Sequence, residues 1–180
     1  RRDRLRVGHA GTLDPLATGL LIVGVGKTTK ALARVTKLPK TYEAELVLGA
    51  TSTTDDREGE LRSSPVQRVP STADVRRALE TLTGTLLQTP PAYSAVKIRG
   101  VPAHRRARRG ESLTLPARPV TVFEARLLFF LYPHVRIRWT VSSGTYIRAL
   151  TRDLGERLEI GAYLEHLRRT TIGPWLAGDA

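Results

Sequence analysis

The chain has 180 residues, 29 lysines and arginines against 17 aspartates and glutamates for a net charge of +12, and no cysteine. A chain of that length suits one domain burying its own core. The missing cysteines exclude disulfides, thiolate catalysis and cysteine-bound zinc or iron–sulfur centres, and without a long apolar run there is no membrane-spanning helix.

The positive excess favours arginine, whose planar fork pairs two phosphate oxygens at once. It points to a nucleic-acid partner, with a solubilising surface or acidic lipid as the alternatives. His9, His104, His134 and His166 show no short ligand spacing, so no metal is expected. A cysteine-free chain fits the reducing cytoplasm, and a cytoplasmic protein is expected.

Residues 5–15 read as a glycine-punctuated loop ending at Pro15. Residues 20–25, aliphatic and β-branched, fit a buried strand or a helix start. Ala31, Leu32 and Val35 lie at helical spacing within 28–36. Over 41–48, Tyr42, Ala44, Leu46 and Leu48 alternate with Glu43 and Glu45, as in a half-buried strand. A polar loop follows over 50–65. Ser71, with Asp74 three residues on, caps a helix running to about Leu82. Prolines 90 and 91 force an extended segment from Gln88.

Residues 93–98 read as a strand ending at the Arg99-Gly100 turn. Residues 118–131 and 135–141 form a hairpin joined near Tyr132-Pro133-His134. A helix is expected over 145–158 and a shorter one over 162–168, before Gly173-Pro174. Strands and helices intersperse without regular parallel alternation. The reading is α+β, with a mixed, mainly antiparallel central sheet flanked by helices, in one domain over 1–180.

Asp14 stands in Ala10-Gly11-Thr12-Leu13-Asp14-Pro15-Leu16-Ala17-Thr18-Gly19. The glycines allow close backbone approach, and Pro15 fixes the chain after the carboxylate. Taken alone, an Asp before Pro is a turn residue. The whole string over 6–21, Arg-Val-Gly-His-Ala-Gly-Thr-Leu-Asp-Pro-Leu-Ala-Thr-Gly-Leu-Leu, closely resembles the catalytic motif of the TruB family of tRNA pseudouridine synthases. Further blocks follow in family order to about residue 173. They are Lys40-Thr41-Tyr42; Gln88-Thr89-Pro90-Pro91-Ala92-Tyr93-Ser94-Ala95-Val96-Lys97; Ser143-Gly144-Thr145-Tyr146-Ile147-Arg148 with Asp153-Leu154-Gly155; and Leu167-Arg168-Arg169-Thr170 with Gly173.

The resemblance implies a pseudouridine-synthase-like fold and isomerisation of the T-loop uridine of tRNA (position 55) to pseudouridine, without cofactor or metal. It implies an enzyme acting as a monomer. The glycosidic bond breaks, the uracil rotates, and C5 rejoins C1′. Asp14 is the implied nucleophile, attacking either the sugar or the base. Burying such a carboxylate requires a cation, for which Arg148 is the candidate. Tyr42 is expected to stack on the flipped base and to assist removal of the C5 proton. Tyr146 lines the other side of the pocket, and His9 helps hold the base out. Gly11 and Lys97 complete the substrate-binding set within the matched blocks. Extruding the base costs a few kcal/mol, which aromatic surfaces and phosphate contacts must offset. Without the resemblance, Tyr42 would read as a core-facing strand aromatic and Arg148 as one of a solvated pair with Arg152.

Arg99, Arg105, Arg106, Arg108 and Arg109 cluster after residue 98. On a helix from Pro102, Arg105 shares a face with Arg108 and Arg109, and such like charges repel unless an anion visits. They read as contacts to the tRNA backbone, with a solvated face as the alternative. Gly24-Val25-Gly26-Lys27-Thr28-Thr29 imitates a phosphate-binding loop, but a glycine is required five positions before Gly26 and Leu21 stands there. A non-catalytic RNA-binding or tRNA-folding module is the remaining alternative. Two segments of the family pattern are missing from this sequence: a Lys-Pro-x-Gly-type lead segment and a C-terminal RNA-binding domain. His104 stands where an aromatic is common in the family and Ser143 where lysine is common.

Overall fold

The computed structural model describes residues 5–179 other than 95, 99, 112 and 114, and at 97, 98 and 179 the backbone alone. In chain order the elements begin with β1 (Val7–His9), β2 (Ala17–Gly19), β3 (Val23–Val25), a 3-10 turn (Gly26–Lys30), α1 (Leu32–Thr36) and β4 (Lys40–Leu48). Next come β5 (Ala50–Ser52), β6 (Leu61–Ser63), α2 (Thr72–Thr81), β7 (Gly84–Gln88), β8 (Lys97–Ile98), β9 (Val101–Pro102) and α3 (Ala103–Ala107). The chain closes with β10 (Arg118–Leu131), β11 (His134–Val141), α4 (Ile147–Arg157), β12 (Ala162–Ile172), β13 (Trp175–Leu176) and a second 3-10 turn (Ala177–Asp179).

The long strands make one sheet in the order β12-β4-β11-β10-β7, antiparallel throughout. The outer edge of β12 takes β13 antiparallel and β2 parallel, so the sheet is mixed at that edge alone. Alternation decides which face is buried. Ala44, Leu46 and Leu48 of β4, with Val135, Ile137, Trp139 and Val141 of β11, pack against Val75 and Leu79 of α2 and Leu150 and Leu154 of α4. Glu43 and Arg138 point to the opposite face and pair across it at 2.7 Å. The α+β, mainly antiparallel expectation holds, with α2 and α4 gathered on one face.

Residues 162–168 are no helix. They open β12, which pairs with β4 along its length. A register irregularity between Leu164 and His166 turns Leu167 inward beside Leu164, and this bulge imitates helical spacing in the sequence. Of residues 20–25 only β3 is strand, and Val23 and Val25 are exposed. Its glycine face meets Leu32, whose side chain would stand 3.1 Å from a Cβ on Gly8 and 3.0 Å from one on Gly24. The helix expected over 28–36 divides into the first 3-10 turn and α1. The strand expected over 93–98 shrinks to β8, because the carbonyls of Tyr93 and Ser94 accept bonds from Arg148 and from His104. The capped helix is α2, with both halves of its capping box formed.

Candidate active site

The loop between β1 and β2 rests on the edge of β12 and presents Asp14 to α4. From the second position of α4, Arg148 donates from Nε to Asp14 Oδ2 and from Nη2 to Asp14 Oδ1, both at 2.9 Å. This fork-to-fork pairing is the strong form of a charge-assisted bond, and it fixes the plane of the carboxylate. Arg148 is 5% exposed, whereas the Asp14 side chain keeps 29% of its surface open. The cation is therefore buried structure, and the carboxylate is the accessible partner. The solvated-face alternative for Arg148 is overturned by that burial.

Arg148 is held from three further sides. Nη1 donates to the Thr54 carbonyl at 3.2 Å, Nη2 to the Tyr93 carbonyl at 3.0 Å, and Nη1 stands 3.4 Å from Asp56 Oδ2. Asp56 is 3% exposed and accepts from Thr54 Oγ1 at 2.6 Å and from the Glu58 amide at 3.0 Å. One guanidinium thus bridges two carboxylates, one open and one buried. One turn along α4, Arg152 donates to Asp55 Oδ2 at 2.9 Å and to the Thr89 carbonyl at 2.9 Å. Burial pushes the Asp55 carboxyl up, and the charges of Arg152 and Arg148 oppose the rise. The loop over 53–59, read from sequence as merely polar, supplies both acids. Two adjacent aspartates were the only signal, and a solvated turn carries the same one.

Tyr42 lies on the core face of β4, opposite Trp139 of β11 and opposite Arg169 of β12. Burial raises its hydroxyl pKa, the neighbouring Arg169 opposes the rise, and Asp14 adds to it. Tyr42, Asp14 and Arg148 therefore converge where the β1–β2 loop meets α4. Tyr146 is the N-cap residue of α4, two residues before Arg148. Gln88, at the end of β7 and 2% exposed, clamps its backbone. The Gln88 amide donates to the Tyr146 carbonyl at 3.1 Å and its Oε1 accepts from the Tyr146 amide at 2.9 Å. Its place in the matched block was the only sequence signal for this buried side chain.

Gly11 has a φ of +120°, open to glycine, and its carbonyl accepts from Arg169 Nη2 at 3.1 Å. It shapes the loop from below. His9 is exposed on β1. Arg105 lies on α3 and is exposed, and Arg109 lies beyond the end of that five-residue helix, so the four-residue repeat of one helix face is not realised. Arg106 pairs with Glu111 at 2.6 Å. Among the described residues no bond joins Arg105 or Arg109 to the Asp14 centre. Arg99 and the Lys97 side chain lie outside the described residues. Ser143 donates to the Thr36 carbonyl at 2.6 Å, which ties the turn before α4 to α1. Among the described residues no helix is long and apolar enough to cross a membrane.

An antiparallel α+β sheet with an accessible carboxylate gripped by a buried arginine beside a half-buried tyrosine defines a site for carboxylate chemistry. Residues 2–147 match the family described as TruB family pseudouridylate synthase (N terminal domain). The tRNA pseudouridine synthase B of Thermobifida fusca (strain YX) is 49% identical, across 97% of this chain and 62% of its own length. That of Corynebacterium efficiens is 46% identical, across 97% of this chain and 60% of its own length. The crystal structure of a Cbf5-Nop10-Gar1 complex is similar with a TM-score of 0.71 at 28% identity, over 95% of this chain and 41% of that one. The chain belongs to the TruB family of pseudouridylate synthases. It spans about three fifths of the length of the two curated relatives named here.

Proposed function

We propose that the chain isomerises the T-loop uridine of tRNA (position 55) to pseudouridine, with Asp14 as nucleophile, as a cytoplasmic monomer in which residues 1–180 form the catalytic domain. The observation that carries the reading is the two-bond grip of buried Arg148 on the accessible Asp14 carboxylate. A carboxylate fixed by a guanidinium beside a half-buried tyrosine meets the demands of nucleophilic catalysis on a base extruded from its stack. The names of the two bacterial relatives support the substrate class. The net charge of +12 supports a polyanionic partner.

In this reading the C1′–N1 bond breaks while Asp14 holds the sugar or the base. The uracil turns, and C5 bonds to C1′. Tyr42 stacks on the base and takes part in removing the C5 proton. Tyr146 closes the other side of the pocket, His9 and Gly11 border the entering nucleotide, and Lys97, Arg105 and Arg109 meet the RNA backbone. The chemistry calls for no metal or cofactor.

The test is a T-stem-loop transcript offered with its target uridine and, in parallel, with cytidine at that position. Pseudouridine in the first RNA and none in the second is the expected result. Conversion at another uridine contradicts the site assignment. Binding of both RNAs without conversion leaves a non-catalytic RNA-binding or tRNA-folding module.

A further inference from the structure

Under the Asp14 loop lies a buried cation to which the scheme above gives no part. Arg169 of β12 is 1% exposed, and among the described residues no carboxylate pairs with it. Its guanidinium is satisfied by backbone oxygens instead: Nε donates to the Leu20 carbonyl at 2.7 Å and Nη2 to the Gly11 carbonyl at 3.1 Å. Those two carbonyls are the ends of the segment that carries Asp14. The Arg169 backbone holds the same segment. Its carbonyl accepts from the Leu20 amide at 2.9 Å, and Ala17–Gly19 runs parallel to residues 167–169. A Cβ on Gly19 would stand 2.2 Å from the Arg169 carbonyl oxygen, so only glycine permits this approach.

A buried guanidinium without a carboxylate partner is costly and leaves its charge uncancelled. That charge faces Tyr42, the direct cross-strand neighbour of Arg169. The other charged groups around Tyr42 are Asp14 from the loop, Arg148 behind Asp14 from α4, and Lys40 two residues along the same face of β4. Lys40 is itself buried and donates to the carbonyls of Thr36 and Leu38. Trp139, the neighbour on β11, is uncharged.

We propose that Arg169 is a positioning residue for the reaction at Asp14: its guanidinium fastens both ends of the Asp14 loop to β12 and holds uncancelled positive charge against the Tyr42 hydroxyl. The proposal rests on the function proposed above and deepens it. In the last step the C5–H bond breaks, its electron pair restores the C5=C6 double bond, and the proton passes to the Tyr42 phenolate oxygen. That oxygen has earlier given its own proton to solvent, and it returns the new one there afterwards. Positive charge at Arg169 favours the phenolate, whereas burial and Asp14 oppose it.

Two variants separate charge from shape. Arg169→Gln keeps hydrogen bonding and removes the charge. Arg169→Lys keeps the charge, but a single ammonium cannot span both carbonyls. Tyr42 ionisation is read by ultraviolet titration as the difference between each protein and its Tyr42→Phe counterpart. Single-turnover conversion of the T-stem-loop is read from neutral to alkaline pH.

In Arg169→Gln, Tyr42 should titrate at higher pH, and the rate should fall by about tenfold at every pH below the wild-type Tyr42 titration, with RNA affinity within about twofold of wild type. Arg169→Lys should titrate like wild type and lose rate evenly across pH. An unchanged Tyr42 titration in Arg169→Gln overturns the proposal, as does wild-type turnover by the glutamine variant at neutral pH. If Arg169→Gln does not fold, the lysine variant decides: wild-type turnover there overturns the proposal, and an even loss with wild-type titration supports it. If the wild-type protein forms no pseudouridine, the proposed function fails, and the titration still decides the role of Arg169.

Discussion

Arg148 joins the open carboxylate of Asp14 to the buried carboxylate of Asp56, and the two ends of that bridge respond differently to mutation. Removing one partner of a buried pair leaves an uncompensated charge, so Asp56→Ala should lower the unfolding free energy by about 3 kcal/mol, read from urea denaturation. Removing Asp14 should lower it by less, because water reaches its carboxylate. A smaller loss for Asp56→Ala than for Asp14→Ala would contradict this bridge. Asp14, Tyr42 and Arg148 were singled out in sequence through the resemblance of the motifs that hold them, not through their local spacing. Asp56 and Arg169 were not singled out. An acid in a polar loop and an arginine just past an assumed helix carry no mark of burial, and only the pairing of β12 with β4 and β2 gives Arg169 its position.

Among the elements, α2 and α4 tie the site to the core by different means. At the start of α2, the Ser71 hydroxyl accepts from the Asp74 amide, and the Ser71 amide donates to the Asp74 carboxylate at 2.9 Å. Ser71→Ala should cost about 1 kcal/mol in thermal or urea unfolding. The Ser71 backbone and hydroxyl bonds, then Arg77, hold the Asp74 carboxyl well below the usual carboxylate range. A carboxyl depressed in the folded state contributes stability above its unfolded pKa and loses it as pH falls through the folded value. The stability difference between wild type and Asp74→Asn should therefore be constant at neutral pH and vanish only in strong acid. A difference already gone in the ordinary carboxylate range would count against this cap.

In α4, Gly155 lets the start of β12 pass close by, since a Cβ there would meet the Ala162 amide nitrogen at 2.3 Å. Gly155→Ala should therefore destabilise the protein despite the better helix propensity of alanine, by about 2 kcal/mol or more on the scale of overpacking, with unfolding by urea as the measure. Strand β4 and helix α2 were readable because period and cap agreed with their surroundings. Strand β12 was not, because its bulge disguised a period of two.

Over the whole molecule, the positive excess is the property that composition alone made legible, although not where it lies. Arg105 and Arg109 stand on a short helix and the turn after it, away from the Asp14 bonds, where a backbone contact remains available to them. Replacing both by glutamine should lower the slope of log affinity for RNA against log salt by about 1.5, with turnover at saturating RNA unchanged. An unaltered slope would make them surface charge.

The central claim concerns Asp14, whose carboxylate two bonds from Arg148 hold in place. Asp14→Asn keeps the shape and removes the proposed nucleophile. Single-turnover conversion of the T-stem-loop uridine, measured beside RNA affinity, should fall by more than about a thousandfold in Asp14→Asn, with affinity within about threefold of wild type. Turnover by Asp14→Asn within about tenfold of wild type would contradict the account.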